Sequence, residues 1–274
     1  MATKVPAKVA QRIANGLKRF QPILQAAKTR DVNESDTVVI VTDLLQEIFG
    51  YDKYSDLTSE HMIRSTFCDL ALKIDGQLAV LIEVKAIGLE LKDQHVKQAV
   101  DYAANQGADW VALTNGVTWR VYRVGFGKPI TQELVVEFDL LALQFKQEAD
   151  IEVLSLLAKE SWQKARLGEY LSRKQALSRF YLGAVVTCDS VLEVVRRELK
   201  RVNADVKVDL EELRAVLVAE VIKRDVLEGE QAEAARRAVS RAANRMLRNV
   251  SDKPGEPVES ESISPPADPG NKTT

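Results

Sequence analysis

Apolar residues recur every three to four positions near the start of the chain and every second position in its middle. The first pattern predicts two amphipathic helices, over residues 6–28 and 34–49. From about residue 60 the period of two predicts β-strands. Two hairpins are expected, with turns at Asp75-Gly76 and Asn115-Gly116, because these dipeptides favour tight turns between strands.

A further helix is predicted between the two hairpins. Residues 92–105 contain neither Gly nor Pro, as a helix interior requires. The strands expected around this helix cover residues 60–65, 67–74, 78–87, 109–114, 117–124 and 132–138. This order of elements predicts an α/β fold in which a mixed sheet is flanked by helices.

The pattern becomes helical again after residue 147. Capping-box sequences at 190–193 and 209–212 precede apolar-periodic runs, so residues 147–250 are predicted to form an all-α C-terminal region. Residues 251–274 hold five of the eight prolines and are predicted to be a disordered tail. The predicted organisation is a basic amphipathic helix (1–30), an α/β domain (31–146), the helical region and the tail.

Composition narrows the class of protein. Hydrophobic residues at 46% and charged residues at 28% fit a globular chain, and no apolar run reaches the roughly 20 residues of a membrane helix. We therefore expect a cytoplasmic protein without membrane contact. Cys68 and Cys188 are the only cysteines, and they are too far apart for a zinc motif.

The net charge of -2 is unevenly distributed. Residues 1–30 hold seven basic side chains and no acid, and residues 231–250 hold five arginines and one acid. Either segment could contact a phosphate backbone, and the alternative is a solvated helix face.

Candidate chemistry lies on the first predicted hairpin. Mg²⁺ prefers oxygen ligands, commonly two carboxylates, and Asp69 and Glu83 lie on neighbouring strands, with Lys85 on the same face as Glu83. The two carboxylates lie on the same face of the sheet only if the residue numbers of opposed residues on the two strands sum to an even number. We therefore predict a three-residue loop, or an equivalent bulge, that pairs Lys73 with Gln77. The alternative is a network of ion pairs on a solvent-exposed sheet face.

These residues resemble a known nuclease signature. Asp69, the run Ile-Glu-Val-Lys-Ala at 82–86, and Gln98 with Tyr102 resemble PD-(D/E)XK nucleases that carry a Gln-x-x-x-Tyr motif. A wider set of short runs resembles the N-terminal nuclease domain of type I restriction enzyme R proteins. It comprises Gly-Tyr-Asp at 50–52, Cys-Asp-Leu-Ala-Leu at 68–72, Leu-Thr-Asn-Gly at 113–116, Trp119 and Tyr122. The resemblance implies a restriction-endonuclease-like fold for residues 31–146.

The resemblance also implies a metal centre. Asp69 and Glu83 would bind Mg²⁺, or Mn²⁺ in its place, together with the backbone carbonyl of Val84. Lys85 would orient the attacking water and stabilise charge on the phosphate. Glu34, on the preceding helix, would complete the metal shell, although an acid in the first turn of a helix is favoured by the helix dipole in any case.

Gln98 and Tyr102 are four residues apart and so lie on one helical face. The resemblance implies that they position the DNA strand or the metal-site residues. The alternative is an ordinary polar surface pair.

Two functions follow from these residues. The first is a Mg²⁺-dependent DNA endonuclease of a restriction–modification system. The second is a catalytically silent module that uses the same fold to bind DNA or a restriction partner. No Gly-x-x-x-x-Gly-Lys-Ser/Thr loop occurs, so the ATP dependence of type I R proteins is not carried over. The helical C-terminal region is expected to supply substrate contacts or to form a homo-oligomer.

Overall fold

The computed structural model describes residues 5–63, 66–205 and 207–251. The helices are α1 (Ala7–Arg30), α2 (Glu34–Glu47), α3 (Asp93–Gln106), α4 (Glu148–Ser155), α5 (Lys159–Trp162), α6 (Arg166–Ala176), α7 (Arg179–Val186), α8 (Asp189–Val202), α9 (Leu210–Val216), α10 (Arg224–Leu227) and α11 (Glu230–Ser251). A π-helical turn covers Leu217–Val221. The strands are β1 (Leu57–Ile63), β2 (Thr66–Ile74), β3 (Gln77–Val84), β4 (Trp110–Thr114), β5 (Thr118–Gly125) and β6 (Thr131–Asp139).

The chain divides into two compact units, Met1–Arg173 and Lys174–Thr274. Residue 251 of the predicted disordered tail ends α11, and the rest of that tail lies outside the described residues. None of the helices within the described ranges is both long and apolar enough to cross a membrane.

The first unit is built on one six-stranded sheet in the order β1-β2-β3-β4-β5-β6. Neighbouring strands are antiparallel except β3 and β4, which are parallel. The parallel pair arises because α3 crosses over between them, as parallel strands require. The predicted α/β fold with a mixed sheet flanked by helices is thus confirmed.

Helices cover both faces of this sheet. Ile13, Leu17 and Leu24 of α1 are fully buried in a large apolar cluster with one sheet face, and α2 joins the same cluster. A second cluster joins α3 to the other face, where Leu81 is fully buried. Burying one such side chain stabilises a fold by about 1.5 to 3 kcal/mol. Because helices cover both faces of the sheet, the region that carries the candidate site is not a solvent-exposed face.

The helices that follow the sheet are shared between the two units. Helix α4 begins at Glu148, next to the predicted start of the helical region at 147. Leu154 of α4 and Leu171 of α6 nevertheless belong to the large apolar cluster of α1 and α2. The Tyr51 hydroxyl also donates a hydrogen bond to the Leu157 carbonyl at 2.8 Å. The division between the two compact units falls after Arg173.

All secondary-structure elements in the described part of the second unit are helices, which confirms the predicted all-α C-terminal region. Among its residues whose burial is described, the buried apolar side chains are few and mostly small: Ala184, Leu192, Leu213, Ala232 and Ala235. Several larger apolar residues are exposed instead, and Val202 is 86% exposed. This unit therefore has a thin core.

Candidate active site

The β2–β3 hairpin sets the register of the candidate site. Its turn is a two-residue loop, since Ile74 pairs with Gln77, and Asp75 and Gly76 both have positive φ, at 50° and 80°. Lys73 pairs with Leu78, so the predicted pairing of Lys73 with Gln77 is wrong.

A bulge then corrects the register. Leu72 pairs with Val80, which leaves Ala79 without a counterpart on β2. Beyond the bulge the paired positions sum to an even number, as in Leu70 with Ile82. Continuing this register by one residue places Asp69 opposite Glu83. The bulge thus places Asp69 and Glu83 on the same face of the sheet, which the prediction expected from either a three-residue loop or a bulge.

Glu83 and Lys85 form a partly buried ion pair at the end of β3. The Lys85 Nζ lies 2.7 Å from Glu83 Oε1, and Glu83 is only 4% exposed. The same Nζ lies 3.5 Å from Oε2 of Glu34, the first residue of α2. The ammonium group therefore joins a strand carboxylate to a helix carboxylate.

The Asp69 carboxylate lies against the backbone of the same strand. Its Oδ2 accepts a hydrogen bond from the Val84 N–H at 2.7 Å. Val84 stands between Glu83 and Lys85 in the chain, so this bond fixes Asp69 beside the ion pair. The structure thus brings Asp69, Glu83, Lys85 and Glu34 together, from two strands and one helix.

The electrostatics of this cluster are dominated by negative charge. Burial raises the pKa of Glu83, the Lys85 hydrogen bond opposes that shift, and the charge of Asp69 adds to it. Burial lowers the pKa of Lys85, but the hydrogen bond and charge of Glu83 and the charge of Glu34 together raise it above the ordinary value. When ionised, three carboxylates and one ammonium carry a net charge of about -2, which favours binding of a cation.

The donor chemistry of the cluster fits a hard divalent cation. Carboxylate and carbonyl oxygens are the ligands that Mg²⁺ and Mn²⁺ prefer, and Asp69, Glu83 and the Val84 carbonyl supply them within one hairpin. Among the described residues there is no group of three or more His, Cys, Asp or Glu side chains that could hold a metal ion. Asp69, Glu83 and Glu34 are therefore not gathered as such a group, and the part of the predicted set that remains is two carboxylates and the Val84 backbone carbonyl.

Helix α3 places Gln98 and Tyr102 in different environments. Gln98 is exposed, whereas Tyr102 is 4% exposed and packs in the same apolar cluster as Cys68, the residue before Asp69. Burial is the main cause of the raised pKa of Tyr102. Both residues line a shallow groove with Gln94, Lys97, Asp101 and Asn105. Because Tyr102 is buried, the two residues do not form an ordinary polar surface pair.

Sequence reasoning missed the residues that hold the loop after Lys85. Asn115 is buried, and its Nδ2 donates to the Leu89 carbonyl at 2.9 Å while its Oδ1 accepts from the Thr118 N–H at 2.8 Å. Arg120 Nη1 donates to the Leu91 carbonyl at 3.0 Å. The sequence signal is the Asn-Gly pair, which forms the turn, and Asn115 also fastens the loop between β3 and α3.

A glycine allows this loop to approach the junction between α1 and α2. A Cβ at Gly88 would collide with the Asp31 carboxylate. Asp31 ends α1 with φ of 51°, three residues before Glu34. The loop that follows Lys85 and the segment that precedes Glu34 therefore meet next to the candidate site.

The fold and the cluster define an α/β domain with acidic residues and a lysine at the end of a central hairpin. Within this domain, residues 39–138 match the family described as type I restriction enzyme R protein N terminus (HSDR_N). The predicted resemblance to that family is confirmed. The matched segment contains Asp69, Glu83, Lys85, Gln98 and Tyr102, and Glu34 lies just before it.

Comparison with curated proteins gave no match, and comparison with solved structures gave none either.

Proposed function

We propose that the protein is a Mg²⁺-dependent DNA endonuclease related to the N-terminal domains of type I restriction R proteins. The observation that carries this proposal is the buried Glu83–Lys85 pair beside Asp69. Burying charged groups is costly, and such groups are usually retained where they bind a metal or take part in catalysis. The family match of residues 39–138 supports a role in a restriction system.

In this proposal Asp69, Glu83 and the Val84 carbonyl would hold Mg²⁺, with Mn²⁺ as a substitute. The bound cation would polarise the phosphate and lower the pKa of the attacking water. The hydrogen bond from the Val84 N–H to Asp69 Oδ2 orients that carboxylate before any cation binds. Such preorganisation spares the cost of ordering the ligand during the reaction.

Lys85 acts on the water and the phosphate. An ammonium group has three N–H donors, and the contacts with Glu83 and Glu34 direct two of them. The third donor remains for the attacking water or a phosphate oxygen. Glu34 would thus act by positioning Lys85.

Gln98 and Tyr102 have different roles in this proposal. The exposed amide of Gln98 contacts the DNA strand, and the buried Tyr102 supports the strand that carries Asp69, through its packing with Cys68. Both roles are proposed from position alone, because the two residues lie on one face of α3.

A cleavage assay tests the proposal. The purified full chain is incubated with supercoiled, linear and single-stranded DNA in Mg²⁺, Mn²⁺ or EDTA. We expect cleavage with either cation and none with EDTA. Lys85→Ala should lower the rate by about 10²- to 10³-fold, because one preorganised contact to the transition state is lost, and should leave DNA binding intact. Asp69→Asn should lower it further, because the metal site itself is weakened.

Two variants of the same hairpin serve as controls. Lys73→Ala removes a lysine of β2, and Asp75→Asn changes an acid of the turn to a residue that tolerates its positive φ. Both should cleave DNA like the wild type. Wild-type protein that retards DNA in a gel but leaves every DNA form intact with both cations would instead be a catalytically silent binding module.

A further inference from the structure

A row of arginines lies along one face of α11, in the second unit. Arg237, Arg241 and Arg245 are spaced by four residues, so their side chains lie on one side of the helix. All three residues are exposed. Arg248 continues the row in the sequence. We name Arg237, Arg241 and Arg245 the arginine row.

The opposite side of α11 is fixed by packing within the unit. Ala232 and Ala235 are 2% and 0% exposed, and α11 packs against α7, where Ala184 is also buried. These alanines are three residues apart and form a narrow apolar stripe. Because this stripe is occupied by α7, the arginine row faces away from the core of the unit.

Acidic partners for the arginine row are scarce. Glu233 is the only acid between residues 231 and 251, and it pairs with Arg237 at 3.1 Å. Within the described ranges, Arg241 Nε donates to the Arg237 carbonyl of its own helix and to no other group. Within the described part of the chain, neither Arg241 nor Arg245 forms an ion pair. The row therefore retains uncompensated positive charge.

Other arginines of the same unit behave differently. They pair with nearby acids: Arg179 with Asp225, Arg196 with Glu193, Arg201 with Glu198, Arg214 with Asp189 and Glu211, and Arg224 with Glu228. These five arginines therefore have acid partners, whereas Arg241 and Arg245 have none among the described residues.

We propose that the arginine row binds the sugar–phosphate backbone of DNA. At about 1.5 Å of rise per residue, Arg237 and Arg245 are about 12 Å apart along the helix axis. One DNA strand presents a phosphate about every 3.4 Å of rise, so the row spans about three phosphates. Guanidinium groups bind phosphate oxygens through paired hydrogen bonds, and such contacts fix position without reading sequence.

The row fits nucleic acid better than a lipid surface. Helices that lie on membranes insert an apolar face, usually with aromatic or large aliphatic residues. Helix α11 has no aromatic residue, and the start of its apolar stripe is covered by α7. This inference rests on the proposed function for the class of ligand, and it adds a binding surface outside the segment that matches the type I restriction enzyme R protein N-terminal family.

Binding is measured on full-length protein that carries Lys85→Ala, in EDTA, so that cleavage cannot interfere. The probe is a short fluorescent DNA duplex, and its anisotropy is followed over a range of salt concentrations. Changing Arg237, Arg241 and Arg245 to Gln should weaken binding on the order of 10-fold at low salt. The slope of log affinity against log salt should fall by roughly 2 to 3, because about three phosphate contacts are lost.

Two matched variants control for charge and folding. Changing Arg196, Arg201 and Arg224 to Gln removes the same charge from paired positions and should change affinity less than about 3-fold, since exposed paired arginines contribute little. Changing the arginine row to Lys keeps its charge and should retain most of the affinity. Circular dichroism checks that each variant keeps its helix content.

Several outcomes would overturn the inference. One is equal affinity and salt slope in the parent and the Gln variant of the row. Another is a Lys variant that loses as much as the Gln variant, because binding would then not follow charge. Binding to phosphatidylserine vesicles but not to the duplex would assign the row to a membrane. Row-dependent DNA binding without any cleavage by the wild type would support this inference while refuting the endonuclease.

Discussion

Arg12 of α1 and Arg241 of α11 lie on the two helices that carry the basic segments of the sequence, yet they make opposite use of their charge. Arg12 Nη1 and Nη2 donate to the two carboxylate oxygens of Glu160 at 2.7 and 2.8 Å. Its Nε and Nη2 also donate to the carbonyls of Ile48 and Phe49, at 3.1 and 3.2 Å. Arg241, in contrast, donates to a carbonyl of its own helix and to nothing else in the part of the chain that the structure describes.

The difference shows that a basic residue can be structural or available for a ligand, and that the sequence looks the same in both cases. Arg12 satisfies carbonyls at the end of α2 that have no partner within that helix, and it ties α5 to the same point through Glu160. Gly50 belongs to this arrangement, because a Cβ there would lie 2.5 Å from Arg12 Cζ. Arg241 has no comparable set of partners among the described residues.

Removing each arginine should give very different losses of stability. We expect Arg12→Ala to lower the free energy of unfolding of the first unit by about 2 to 3 kcal/mol, because hydrogen bonds to a charged group and to buried carbonyls are lost together. Arg241→Ala should change stability by less than about 0.5 kcal/mol. Urea unfolding measures both. Similar losses in the two variants would remove the contrast between the helices.

The close approach of Gly50 to Arg12 sharpens the comparison. Gly50 and Gly76 both have strongly positive φ, at 83° and 80°, but a Cβ at Gly76 would have no atom within 4 Å. Gly76→Ala should therefore cost about 1 kcal/mol, from backbone conformation alone. Gly50→Ala should cost about 2 kcal/mol, because Arg12 must also move.

A double variant tests whether that extra loss comes from the contact. In Arg12→Ala combined with Gly50→Ala, the loss should be smaller than the sum of the two single losses, because the collision no longer exists. Additive losses measured by urea unfolding would show that Gly50 and Arg12 are not coupled.

The smallest expected effect is a pH dependence of the Arg12–Glu160 pair. The hydrogen bond from Arg12 lowers the pKa of Glu160, and partial burial opposes this shift. The folded pKa therefore lies below the unfolded one. The pair stabilises the fold above the unfolded pKa, and this contribution is lost as the pH falls through the folded pKa. Because both side chains are partly exposed, we expect less than about 1 kcal/mol.

The measurement is the urea midpoint between roughly pH 3 and pH 7, compared between the wild type and Glu160→Gln. The wild type should lose its stability advantage over the variant at the acidic end of this range. Parallel curves for the two proteins would mean that Glu160 does not titrate differently in the folded and unfolded states.

Much of the fold could be predicted from local patterns. The first helix was expected over residues 6–28 and covers Ala7–Arg30, and the turns at Asp75-Gly76 and Asn115-Gly116 lie where the dipeptides indicated. The candidate residues Asp69, Glu83 and Lys85 could be named because short motifs are contiguous or lie on adjacent strands. Tyr102 differed from Gln98 because burial depends on what each side of α3 packs against.

The amino-acid sequence alone determined the periodicities and the positions of the turns, because these depend on neighbours within a few positions of the chain. The resemblance of short motifs then indicated which residues could form the metal centre. Only the tertiary structure decided that a bulge at Ala79 sets the register, that Glu34 reaches Lys85, and that Arg12 is structural whereas the arginine row is exposed. These outcomes depend on which distant element covers each side chain, and that covering is a property of the packed chain.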